Sequence, residues 1–135
     1  MGQQQLLLII LGVIVVGIAV AVGITMFSDN AVSANKDAVT NDLVNLASRA
    51  QQYYRRPTAL GGGQGSFTGL TADVAGLSRL TSKATNANGT YSVLTAGDGT
   101  SVELQGVGTE NGTDGSQILV KMLVFADSTA VTFTN

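Results

Sequence analysis

A chain of 135 residues with no Cys and no His must do its chemistry with carboxylates, amides, hydroxyls and a few cations. Thiolate nucleophiles, disulfides, zinc sites and imidazole bases are excluded by composition. Glu110, Asn111 and Asp114 gather oxygen ligands in one short stretch, but the EF-hand spacing is absent and the charge is small for calcium. No metal is expected. Asn88-Gly89-Thr90 and Asn111-Gly112-Thr113 are glycosylation sequons, which makes Asn88 and Asn111 the acceptors for any N-linked surface glycan. The run Gly61-Gly62-Gly63-Gln64-Gly65 invites a phosphate-loop reading, yet it matches neither GxxxxGK[ST] nor a GxGxxG that follows a strand. Its glycines are expected to turn the chain tightly over a helix end. Arg55 and Arg56 follow Tyr53 and Tyr54, where cations offset the dipole of a helix C-terminus. No nucleophile, base and orienting group can be assembled by motif, so the chain reads as non-enzymatic and free of cofactors. The net charge is -2 with no run of Lys or Arg, which leaves no electrostatic footprint for nucleic acid.

The elements that would carry these groups begin with an uncharged stretch, QQQLLLIILGVIVVGIAVAVGITMF, from residue 3 to residue 27. Leu6 to Phe27 would form a helix roughly 33 Å long, close to the ~30 Å of a bilayer's hydrocarbon core. A cleavable secretory signal has a basic start and an apolar stretch of only about 7 to 15 residues. This leader has neither. Flanking cations are sparse, with Lys36 the first after the span, so charge alone does not orient it in a membrane. Gly12, Gly17 and Gly23 form no GxxxG face; they suit flexibility or axial packing among several helices.

Beyond Phe27 the pattern becomes amphipathic. Val32, Val39, Leu43, Leu46, Ala50 and Tyr53 share one helical face, and no Pro intervenes before Pro57. One helix over residues 3 to 56 is therefore expected, roughly 81 Å long. The remaining residues are polar and Gly-rich. Phe67 and Leu70 are expected to pin the connector to the core, and Val74, Leu77 and Leu80 to line one face of a short helix or turn. Strands are expected at 90–95, 101–106, 117–126 and 129–134, with a hairpin turn at Asp98-Gly99 and a looser loop over 108–115. The expected fold class is α+β, a long N-terminal helix packed through its second half on a small antiparallel sheet. It divides into an apolar segment 1–27, an amphipathic continuation 28–56 and a head 57–135.

An unbroken apolar N-terminal segment, an amphipathic continuation and a small head with a sheet together resemble the type IV pilin superfamily over residues 1 to about 56. The resemblance implies a structural subunit of an extracellular filament that polymerises through its N-terminal helix. It also implies passage through an inner membrane, with lipid and an assembly machinery as earlier partners and further copies of the chain as final ones. A pseudopilin or minor pilin of a secretion system is the neighbouring reading, and a membrane-anchored binding module that never polymerises is the third. In the family a Glu stands fifth in the mature chain and pairs with a neighbour's terminal amine. With Met1 as the mature first residue, Gln5 takes that place and can only hydrogen-bond. Leu8, Ile10, Val13, Val16 and Val20 would then contact other subunits.

Overall fold

The computed structural model describes residues 2 to 135, so the expectation placed on Met1 lies outside the described residues. Helix α1 runs Gly2–Arg55, 54 residues without a break, and Ser28-Asp29-Asn30 does not interrupt it. Its apolar stripe is the expected one: Val39, Leu43, Leu46, Ala50 and Tyr53 are buried, Ala47 joins them, and Val32 is half-buried at the lower margin.

The helix ends against the glycine-rich connector. Its last carbonyls have no partner within the helix, and the connector supplies three. Gly63 N donates to Tyr53 O at 2.8 Å, Gln64 N to Arg56 O at 3.0 Å and Gly65 N to Tyr54 O at 2.7 Å. This close approach requires glycine, since a Cβ at Gly63 would lie 1.8 Å from Ser66 O. Phe67 and Leu70 then enter the core fully buried, and the Tyr54 ring lies 4.8 Å from that of Phe67.

The head is a four-stranded antiparallel meander in the order β1-β2-β3-β4. The strands are β1 Gly89–Thr95, β2 Ser101–Asn111, β3 Gln117–Phe125 and β4 Thr129–Phe133. A period of two sends Tyr91 and Val93, Val102 and Leu104, and Ile118, Val120, Met122 and Val124 into the core. The second half of α1 lies on that face over β2 and β3. It can do so because β2 has glycines beneath it: a Cβ at Gly106 would come 2.6 Å from Val39 Cγ1. The architecture is α+β.

Two local expectations are corrected. The stretch 108–115 is not all loop, because β2 continues to Asn111 and pairs it with Gln117. The turn is confined to the residues between, where Gly112 N donates to Ser116 O. Val74, Leu77 and Leu80 do not share a buried face either. Helix α2 is only Val74–Ser78, capped by Asp73 Oδ1 on Gly76 N, and a single turn cannot bury all three. Leu77 and Leu80 are buried while Val74 is 82% exposed.

Candidate functional site

The largest feature without a partner in the chain is the first half of α1. Its large apolar side chains from Leu6 to Phe27 are 52 to 77% exposed, and Leu8, Ile10, Val13, Val16 and Val20 are among them. The surface of such a rod is on the order of 1,000 Å², whereas monomers rarely expose apolar patches beyond a few hundred Å². At about 25 cal/mol per Å², leaving it in water would cost on the order of 25 kcal/mol. No other described part of the chain packs on this rod.

By length and composition α1 can cross a membrane. Its polar contents are already satisfied: Thr25 Oγ1 donates to Ala21 O at 3.0 Å, so the hydroxyl brings no unpaired group into the apolar zone. A Cβ at Gly12, Gly17 or Gly23 would meet nothing within 4 Å. The chain's own fold therefore has no need of glycine at these places, although each costs about 1 kcal/mol of helix stability against Ala. Gln5 is exposed at the outer end, and no described side chain bonds to it.

Rigid coupling of rod to head comes from polar latches spaced along the second half of α1. Asn35 Nδ2 donates to Asn88 O at 2.9 Å, and Asn35 Oδ1 accepts from Thr109 N at 3.0 Å. Arg49 Nη1 donates to Leu80 O at 2.9 Å and Gln51 Nε2 to Phe125 O at 3.1 Å. Between them sits Asp42, whose Oδ2 accepts from Asn86 Nδ2, Asn88 Nδ2 and Tyr91 Oη. Burial alone would raise the Asp42 carboxyl, but these three donors outweigh it and hold the group below its ordinary value. Tyr91 is pushed well above the usual phenol range by burial and by the Asp42 carboxylate. Sequence reading missed this hub, whose one local sign is a half-buried Asp beside Leu43 at the margin of the apolar stripe.

The two sequons are placed differently. Asn88 is half-buried with its amide committed to Asp42, whereas Asn111 ends β2 exposed. Glu110 and Asp114 do not converge with another acidic residue on a metal-sized site among the described residues. Asp114 Oδ1 instead accepts from Ser116 N at 2.9 Å and from Asn135 Nδ2 at 3.2 Å, which ties the hairpin tip to the last residue. Arg55 and Arg56 are exposed at the helix end, with Arg55 Nη2 reaching Ala126 O at 3.5 Å. Comparison with known proteins returns no match, whether by family model, by curated sequence or by solved structure.

Proposed function

We propose that this chain is a non-enzymatic structural subunit of an extracellular filament of the type IV pilin kind, built on a bundle of its apolar half-helices. The observation that carries the reading is the exposed rod: about six turns of helix, apolar on every side, continuous with the helix that forms the head's second layer. A rod joined to its head without a hinge fixes the head's position whenever the rods pack. Three glycines that the isolated fold does not use suit close approach of neighbouring helices. On its C-terminal side the rod ends at Phe27 without Trp or Tyr and without Lys or Arg before Lys36, a thin set of interfacial anchors.

In this reading the rod first lies in an inner membrane, surrounded by lipid and met by an assembly machinery, and then moves into the filament core. Gln5 would donate or accept hydrogen bonds near a neighbour's terminal amine, while Leu8, Ile10, Val13, Val16 and Val20 pack against other copies. The polar outer residues of the head, with any glycan they bear, form the filament's coat. Electron microscopy of material sheared from cells tests the proposal. Filaments whose mass spectrum contains this chain are the expected result. Recovery of the chain solely as monomers in the membrane fraction would replace the polymer with an anchored module.

A further inference from the structure

The β2–β3 hairpin points along α1 toward the apolar rod. Far from the rod, Gln51 Nε2 donates to Phe125 O, and Phe125 pairs with Ser101 at the start of β2. Near the rod, Asn35 Oδ1 accepts from Thr109 N at 3.0 Å and from Glu110 N at 3.3 Å. The hairpin tip is thereby held against the polar band that follows Phe27. Between tip and helix lies a pocket of about 340 Å³, lined chiefly by Asp29, Val32 and Lys36 of α1 and by Asn111, Gly112 and Thr113 of the tip.

The height of this pocket follows from the helix. A rod from Leu6 to Phe27 matches the hydrocarbon core in length, which fixes its depth in a bilayer. Val32 stands five residues beyond Phe27 on an unbroken helix, roughly 7.5 Å further on, while the headgroup layer adds roughly 5 to 7.5 Å on each side of the core. The pocket opens at headgroup level whenever the rod spans a membrane.

Its lining fits that layer. Lys36 is half-buried and its carbonyl accepts from Thr40 Oγ1, but no described residue offers its ammonium a hydrogen bond or an ion pair. Helical side chains lean toward the N-terminus, so the Lys36 stem is directed back toward the rod. An ammonium partly withdrawn from water gains most from a charged oxygen acceptor. The amide of Asn111 and the hydroxyl of Thr113 add donors from the tip, and both residues are exposed. Asp29 on the same wall disfavours a ligand of net negative charge and suits one that carries its own cation.

We infer that the pocket between the β2–β3 tip and α1 holds the phosphate of a zwitterionic phospholipid headgroup on Lys36; this rests on the membrane stage of the reading above and not on the polymer. The head then supplies the interfacial anchor that the end of the rod lacks. It also sets the rotation of the chain about its own axis in the bilayer, because the tip lies on one side of the helix.

The chain has no Trp, so Thr113→Trp and Gly99→Trp each introduce a single fluorophore, the second in open space at the opposite end of the sheet. In phosphatidylethanolamine vesicles containing a headgroup-nitroxide lipid, the tip variant should be quenched severalfold more than the Gly99 variant, and equal quenching overturns the inference. Native mass spectrometry of the full chain, released from detergent doped with phosphatidylethanolamine, reads the contact itself. The parent and Lys36→Arg should each retain one lipid, Lys36→Met should lose it with the head's melting temperature unchanged, and inorganic phosphate should not displace it. A parent without the lipid, a Lys36→Met chain that keeps it, or displacement by phosphate overturns the site. Release of the parent from vesicles by a carbonate wash is a different result, which removes the membrane stage and the inference with it.

Discussion

The Tyr91 hydroxyl donates to Asp42 Oδ2 across 49 residues of sequence, and Asn86 and Asn88 each donate to that same oxygen at 2.9 Å. A single carboxylate on the helix thus holds the edge strand and the segment that leads into it. Since its pKa lies below the ordinary 3.8, the stability it contributes is present above that value and is lost as pH falls through the folded value. Asp42→Asn should cost about 1 to 3 kcal/mol at neutral pH, because donors are left facing an amide. Thermal melts in detergent should show parent and variant converging below pH 3.8. Tyr91 gives the opposite limb. Its raised value means that stability falls as pH rises beyond the ordinary 10.0.

Two glycine substitutions separate close packing from mere turn composition. Gly63→Ala would put a Cβ 1.8 Å from Ser66 O and 2.9 Å from the Tyr53 ring, whereas a Cβ at Gly99 meets nothing within 4 Å. Gly63→Ala should therefore destabilise the head by about 1 to 3 kcal/mol, and Gly99→Ala by less than about 0.5 kcal/mol. Denaturant midpoints of the two variants against the parent decide the matter, and equal midpoints would contradict the capping role of the connector.

The sequons should not be equivalent. N-glycosylation at Asn88 would attach a bulky group to an amide nitrogen that already donates to Asp42, while Asn111 is exposed at the end of β2. A glycan found by mass spectrometry of the native chain is expected on the peptide containing Asn111, lost in Thr113→Ala and kept in Asn88→Gln. An adduct confined to Asn88 would mean that the segment 84–91 leaves the helix before modification.

Val16→Ala removes two methyl groups from the rod yet leaves it apolar enough to enter a membrane. In a packed bundle such truncation costs about 1 to 3 kcal/mol per copy, whereas lipid closes around it. Gln5→Leu removes an amide at the other end and favours insertion. Both variants should reach the membrane at parental levels but yield fewer or more fragile filaments, measured by sedimentation after shear. Parental yields from both would show that close packing of the rod does not hold the assembly.

Much of this architecture is written in local periodicity. An uncharged, predominantly apolar run from Leu6 to Phe27, a stripe at intervals of three and four, and Pro57 define a helix and its end from neighbours alone. Alternation of two defines the strands in the same way. Reading failed where a local signal had a distant cause. Thr109 to Asn111 look like a turn, yet they extend β2 because Asn35, more than 70 residues earlier, accepts from the amides of Thr109 and Glu110. Val74 keeps the right interval from Leu77, but a five-residue helix presents too little face to bury it.

The sequence by itself determined the apolar rod, the type of each main element and the buried stripe of α1, because period and turn residues act over a few positions. Only the tertiary structure decided that Asp42 gathers three donors, that Asn88 is occupied while Asn111 is exposed, and that β4 stands bare at one edge of the sheet. Those outcomes depend on where one helix lands on a four-stranded sheet, as wide as four strands and covered for only part of that width. The width of a helix, about 10 to 12 Å against strands spaced about 4.8 Å apart, lets it cover two strands well and leaves the rest to other partners.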